Sequence, residues 1–346
     1  MGKSNIQEAS FIKYSASLIM MAFMLSDCFS QSDIQRLDEI FRNSYESYLI
    51  SKGDNRPDFD RRKDNIDRFL VSLSYNIPPE LFMKKAGWTK EMYESKVKLL
   101  TSKGWLKTEG NKLVPTVFIV TGDRGSMLYR YAKPVSDAIA GSIEKELPGI
   151  KDRFIKAGFE VNNSFEDLSL LILSDVLLDN WQLMKMESAF LKQENRPLRH
   201  GKYYYAEIIE NPGNGYEPFK IYGNQSGKVN DTTWLNIYGN NRFVANSRLR
   251  NRTFSDSVMA HCLNITPEMS RFFEETAEGY KPVLLKILEE NRDYSISVFR
   301  KTGYADQIRF EEFFIWWYHF IYTEATNILA GKNLIRIPDG GNFYYR

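Results

Sequence analysis

The chain has 346 residues, of which 43% are hydrophobic and 26% are charged. These proportions are ordinary for a soluble globular protein. They exclude a disordered tail, a collagen-like rod and a multi-pass membrane protein. The net charge of +2, from 46 Lys and Arg against 44 Asp and Glu, is too balanced to indicate a nucleic-acid coat or an acidic partner. Two cysteines and three histidines exclude a disulfide-stapled scaffold and a thiolate zinc site. A chain of this length is expected to form two domains.

The first 30 residues resemble a bacterial signal peptide. Lys3 and Lys13 precede an apolar stretch at residues 14–25. This stretch is too short to span a bilayer as a helix of about 20 residues, but its length suits a secretory signal. Cys28 and Ser30 place small residues at the two positions that signal peptidase reads. This pattern predicts cleavage after Ser30 and export to the periplasm or envelope.

Two other interpretations of this segment stay open. Residues 25–28 resemble a lipobox with Cys28 as the lipidated residue, although Asp27 stands where that pattern has Gly, Ala or Ser. The protein would then be held at a membrane through its lipid. Alternatively, residues 14–25 form a first helix that is buried on every side in a cytoplasmic protein, because this run lacks the polar positions of an amphipathic helix.

Residues 31–64 are expected to form an N-terminal helix and a linker. Ser32 can cap a helix that runs to about residue 50. Its apolar positions fall on one face: Ile34, Leu37, Ile40 and Phe41. Residues 52–64 are rich in charge and carry Pro57, which is typical of a linker.

Residues 65–120 carry a distinctive order of elements. Three short helices are predicted: 66–73, 78–86 and 89–103. Gly87 ends the second helix, and Thr89 caps the third. Two short strands follow on either side of the turn sequence Glu109-Gly110-Asn111. Three helices followed by a hairpin resemble a winged helix-turn-helix domain.

This resemblance implies a set of DNA-binding residues if the protein is cytoplasmic. The third helix would enter the major groove while lysines of the wing meet phosphates. The candidates are Lys90, Tyr93, Lys96, Lys98, Lys107 and Lys112. Residues 80–115 contain eight Lys and four Glu, which favours a nucleic-acid contact. Against it, Glu91 and Glu94 flank the same helix, and this stretch has no Arg, the usual reader of guanine.

Residues 121–346 are expected to form a helical C-terminal domain with a small antiparallel sheet. Its predicted helices are 134–157 with an interruption at Pro148, 165–191, 266–288 and 310–329. The sheet is placed at about residues 199–243, which are rich in Tyr, Gly and Asn. Within it, Ile-Tyr-Gly-Asn occurs at residues 221–224 and again at 237–240. Residues 334–337 are predicted to form a strand.

Two groups of side chains are candidates for ligand binding. His200 lies beside Arg199 and close to Lys202, which suits either a general base among cationic groups or a turn that enters a strand. The second group is a cluster of arginines that could hold an anionic ligand or form a solvated loop: Arg242, Arg248, Arg250 and Arg252.

The other reactive and aromatic groups are expected to be structural. Cys262 is interpreted as a small buried hydrophobe, because adjacent helical residues such as His261 do not face each other. The aromatic helix at residues 310–322 is expected to be a core helix with His319 hydrogen-bonded inside, and an aromatic ligand pocket is the alternative. The adjacent pair Glu311-Glu312 is expected to be solvated.

We therefore expect an α+β, mostly helical fold with a winged-helix module and a larger helical domain. The chain has no Gly-rich phosphate loop, nucleophile elbow or acidic metal cluster, so no enzyme, cofactor or metal is predicted. The leading hypothesis is a non-enzymatic, exported envelope protein that uses the winged helix to bind a protein or a small ligand. The alternative is a cytoplasmic transcriptional regulator with a C-terminal sensor or dimerisation domain.

Overall fold

The computed structural model describes residues 29–161, 163–211 and 221–346. The predicted apolar signal segment and the lipidation site at Cys28 lie outside these residues. The fold is α+β and mostly helical, as expected from the sequence. Within the described ranges, every helix is either too short or too polar to cross a membrane.

The N-terminal helix is shorter than the sequence predicted. Helix α1 (Gln31–Arg42) begins after Ser30, whose hydroxyl accepts a hydrogen bond from the Asp33 amide. The expected continuation to residue 50 is wrong, because strand β1 (Ser44–Ser51) follows and pairs with a distant strand. Tyr45 and Tyr48 are three residues apart, a spacing that also suits a helix, but the strand buries them in different hydrophobic clusters.

The helices and the hairpin predicted for residues 65–120 are confirmed. They are α2 (Ile66–Ser74), α3 (Pro79–Ala86), α4 (Lys90–Ser102), β2 (Leu106–Glu109) and β3 (Lys112–Pro115). The Thr89 hydroxyl caps α4, and Gly87 ends α3 with a positive φ of 67°. Their hydrophobic cluster also includes Leu37 and Ile208 from elsewhere in the chain. The resemblance to a winged helix stays a prediction.

The main sheet is mixed and has β6 (Lys202–Asn211) at its centre. Strand β1 pairs with β6 in antiparallel register and β4 (Phe118–Val120) pairs with it in parallel register, while the short β5 (Leu198–Arg199) forms a hairpin with its start. The strands expected over residues 199–243 do form, and they are divided between this mixed sheet and a second, antiparallel sheet. Strand β6 is buried over seven consecutive residues, because both faces of this sheet are covered.

Helices from the C-terminal part of the chain cover the main sheet. The longest, α5 (Gly122–Lys156), starts before the predicted position and continues through Pro134 and Pro148. The helix predicted over residues 165–191 is divided into α6 (Phe165–Leu170), a π-helical turn (Leu171–Val176) and α7 (Leu183–Ala189).

The aromatic helix α12 (Phe310–Gly331) packs along α5 and is the core helix that the sequence predicted. His319 is buried, and its Nδ1 lies 2.8 Å from the Ile315 carbonyl oxygen. Glu312 is not solvated as expected: it is 2% exposed, and the guanidinium of Arg199 holds it. The neighbouring helices are α10 (Pro267–Glu290) and α11 (Arg292–Lys301).

A second sheet contains β7 (Gly223–Lys228), β8 (Trp234–Gly239) and β9 (Asn342–Tyr345) in that order. The repeated Ile-Tyr-Gly-Asn sequences face each other, because Gly223 lies opposite Gly239. A Cβ atom on Gly239 would lie 2.2 Å from the Gly341 carbonyl oxygen, so this close approach requires glycine. The strand predicted at residues 334–337 is wrong, since these residues have no regular structure and the strand forms at β9.

Two helices lie between β8 and α10. Helix α8 (Arg242–Asn251) packs on β7, and α9 (Asp256–Ala260) is a short turn of helix. The predicted arginine loop is therefore wrong, because Arg242, Arg248 and Arg250 belong to α8. Cys262 is buried, as predicted.

Candidate ligand-binding cleft

The candidate DNA-binding residues are mostly engaged with their own domain. Lys90 and Lys107 lie 3.9 Å and 2.6 Å from the carboxylates of Glu94 and Glu109, respectively. Lys96 donates to Asp64, and Tyr93 packs edge-on against Phe69. The two remaining candidates are exposed: Lys98 and Lys112. These contacts leave a weaker positive surface than the count of lysines indicates.

The structure separates the predicted ligand-binding residues. His200 is exposed in the turn between β5 and β6, with a positive φ of 48°, which agrees with the turn interpretation. Arg248 donates to the Tyr344 hydroxyl at 2.6 Å, and a nitrogen of Arg250 lies 3.7 Å from Glu46. Arg242 alone among these four residues lines the large cleft described next.

A cleft of about 600 Å³ lies between the two sheets, and we call it the edge-strand cleft. Its walls include residues 47–52 of β1 and the following loop, and residues 223–226 of β7. These are outer strands of their sheets. Other lining side chains come from the loop after β1, the start of α7, α8 and α12: Arg56, Arg61, Leu183, Met184, Arg242, Asn246, Leu249 and His319.

Arg242 is the most unusual side chain of the edge-strand cleft. It is 7% exposed, and its guanidinium lies 3.8 Å from the centre of the Tyr48 ring and 3.4 Å from the Glu207 carboxylate. Its Nη1 is the atom that forms this ion pair with Glu207, and its Nε has no hydrogen-bond partner within the described ranges. A Cβ on Gly223 would lie 3.3 Å from Nε, so glycine gives this side chain its room.

Two buried aspartates lie in and just after the π-helical turn, and one of them, Asp179, lines the edge-strand cleft together with Arg242. Asp179 accepts a hydrogen bond from the Asn224 amide at 3.1 Å, and Asp175 accepts from the Asn224 side chain at 2.9 Å. The Tyr345 hydroxyl also donates to Asp175, at 2.8 Å. Irregular π turns are frequent at functional sites.

Burial sets the protonation of the groups around Arg242. It raises the pKa of Asp179 to about 7, although hydrogen bonding and Arg242 oppose this change, and it raises the pKa of Asp175 well above its usual range. The pKa of Glu207 likewise rises to about 7. Burial, followed by the charge of Arg242, lowers the pKa of His319 to about 3, so this imidazole is neutral at physiological pH.

Sequence reasoning missed Asp175, Asp179, Glu207 and Arg61 as residues of this region. One signal was present: two aspartates four residues apart lie in a run at residues 170–179 whose other members, apart from Ser174, are apolar. A helix places such residues on one face, and isolated carboxylates in an apolar run require polar partners. Glu207 and Arg61 have no such local signal in the sequence.

Replacing Asp179 by Asn is expected to change how stability depends on pH. The folded-state pKa of Asp179, about 7, exceeds its ordinary value of 3.8. Between these values the unfolded chain releases this proton while the folded protein keeps it, so stability falls as the pH rises through this range. The variant lacks this loss, and its stability relative to wild type should therefore increase from about pH 4 to about pH 7. Urea unfolding over this range measures the difference. Asp137→Asn, at an exposed site on α5, is the control, and parallel pH profiles for Asp179→Asn and wild type would contradict the prediction.

Comparison of the chain with protein-family models, curated proteins and solved structures finds no match. In the part of the chain that the structure describes, no group of three or more His, Cys, Asp or Glu side chains could hold a metal ion.

Proposed function

We propose that this chain is a non-enzymatic binding protein whose edge-strand cleft holds a ligand with an anionic group. The observation that carries this proposal is the buried guanidinium of Arg242, which lines the cleft and whose Nε lacks a hydrogen-bond partner among the described residues, while its Nη1 is held by the ion pair with Glu207. A guanidinium N–H is a suitable donor to an oxygen of a carboxylate or phosphate group. A ligand oxygen at Nε would satisfy a donor that is otherwise costly to leave buried.

The charge of the cleft also supports an anionic ligand. Lys52, Arg56, Arg61 and Arg196 line it together with Arg242, and Asp179 is the carboxylate among the lining residues. Arg196 is already paired with Glu187, with 2.8 Å between Nε and Oε1. The Arg61 Nη1 atom has no partner among the described residues. Positive charge therefore exceeds negative charge around the opening.

Replacing Arg242 by lysine is expected to weaken anion binding by about tenfold or more, because a lost hydrogen bond to a charged group costs about 1.5–3 kcal/mol. The lysine keeps a positive charge beside Glu207, so the fold should persist. Calorimetric titrations with citrate, glutamate and inorganic phosphate measure the effect. Arg271→Lys, the same substitution at an exposed position of α10, is the matched control. Equal affinities of wild type and Arg242→Lys would contradict the proposal.

Export of this binding protein is part of the proposal and has a direct test. Protein purified from its native host should begin at Gln31, or at Cys28 with a lipid attached, as read by mass spectrometry. An intact Met1 or Gly2 in the folded product would contradict export and would favour a cytoplasmic protein.

The second candidate function is a cytoplasmic DNA-binding regulator. Lys98 and Lys112 favour it, because both are exposed and neither forms an ion pair within the described ranges. Duplex binding should then weaken as salt increases, since these contacts release counterions. Replacement of both lysines by alanine should lower affinity for every duplex sequence.

A further inference from the structure

We infer that the ligand of the edge-strand cleft is an extended peptide with acidic side chains, which pairs its backbone with the free edge of β1. This inference rests on the proposed function and specifies its ligand. It requires three features of the cleft: an open strand edge, sufficient length and positive charge where alternate side chains of the peptide would point.

The open edge belongs to β1. In the described parts of the chain, the backbone hydrogen bonds of Ser44–Ser51 go to β6 alone. An antiparallel strand directs the N–H and C=O groups of alternate residues to opposite sides, so half of these groups in β1 point away from β6. An added strand can pair with such an edge.

The facing edge of β7 is less available. The Asn224 amide points away from β8 and donates to Asp179 at 3.1 Å, so a side chain already occupies this part of the strand edge. The alternation along β7 places Ser226 next on the same side. Strand β1 is therefore the one that can pair with an incoming backbone, along residues 47–51.

The length of the cleft suits a short peptide. The part of the wall that β1 forms, residues 47–51, spans about 17 Å at about 3.4 Å per residue, which corresponds to about five residues of an extended chain. Leu183 and Leu249 add apolar surface to the walls, which can cover the aliphatic stems of longer side chains.

The charges of the cleft select acidic side chains. Arg242 and Arg61 both line it and both have guanidinium nitrogens without a partner among the described residues. Side chains of a strand alternate between its two faces, so acidic residues at every second position can reach the same wall. A nucleic acid would meet these charges as well, but it has no backbone amide groups that could continue the sheet.

Calorimetry with defined peptides tests this inference. The probe is an acetylated, amidated heptapeptide in which glutamate alternates with valine, and we expect it to bind the wild-type protein. Two matched peptides carry N-methyl groups on alternate amides, one for each edge of the strand. One of them should lose at least tenfold in affinity while the other retains most of it. A peptide with glutamine in place of glutamate should also bind at least tenfold more weakly.

Hydrogen exchange supplies an independent readout of pairing. Amides on the free edge of β1 should exchange more slowly when the peptide is bound, whereas Arg242→Lys should reduce affinity without unfolding β1. If both N-methylated peptides bind as tightly as the unmodified peptide, backbone pairing is overturned. Binding of a thymidine heptanucleotide but not of the peptide would assign the cleft to nucleic acid. If citrate, glutamate or phosphate binds and the peptide does not, the inference fails while the proposed function stands; if none of these probes binds, both fail.

Discussion

Replacing Trp317 by alanine is expected to lower the free energy of unfolding by about 3–5 kcal/mol. The side chain is fully buried in α12, where it stacks on Phe313 with ring centres 5.7 Å apart and donates to the Leu128 carbonyl at 3.2 Å. Truncation therefore removes a large apolar surface and leaves a cavity between α12 and α5. Such a loss is a large part of the roughly 5–15 kcal/mol that stabilises most domains.

Thermal and urea unfolding measure this effect, and Trp234→Ala is the matched control. Trp234 is 54% exposed on β8, so its truncation should change stability much less. Unchanged stability of Trp317→Ala together with lost ligand binding would contradict the core interpretation and would favour an aromatic ligand pocket in its place.

Replacing Glu312 by alanine is expected to destabilise the protein by about 3–5 kcal/mol, because it leaves the buried guanidinium of Arg199 without its counter-charge. Arg199 Nη2 lies 2.9 Å and 2.7 Å from the two Glu312 carboxylate oxygens. The Ala206 amide also donates to Glu312, at 3.2 Å. The variant thus breaks an ion pair and leaves a buried amide of the central strand unsatisfied.

Two comparisons separate the loss of the pair from other effects on α12. Glu311→Ala changes the preceding residue, whose partner Arg309 is largely exposed, and exposed ion pairs contribute about 0–1 kcal/mol. The double variant Arg199→Met, Glu312→Leu removes both charges and should be more stable than Glu312→Ala. Urea unfolding measures all three, and equal stabilities of Glu311→Ala and Glu312→Ala would contradict this account.

The parts of the fold that local signals determine could be predicted from the sequence. Thr89 and Thr266 cap their helices through their own hydroxyls, and a cap residue followed by apolar positions at helical spacing is visible in a sequence. The aromatic composition of α12 likewise required burial on all sides. These elements depend on residues that lie close together in the chain.

The parts that depend on distant partners could not be predicted. Residues 44–51 have a spacing that suits either a helix or a strand, and pairing with β6 determines the outcome. Glu312 was expected to be solvated because its partner Arg199 lies 113 positions away. The edge-strand cleft likewise lies between two strands from different sheets. No single segment of the sequence therefore predicts it.

The central position of β6 has a consequence for how the chain folds. Asn43, which precedes β1, donates to Glu210 of β6 across 167 positions of the sequence, and contacts of such long range slow folding. During synthesis β1 emerges well before β6, so both of its edges stay unpaired until the later strand is made. A nascent chain is then open to pairing with other chains, and a chaperone that covers β1 during this interval would increase the yield of folded protein.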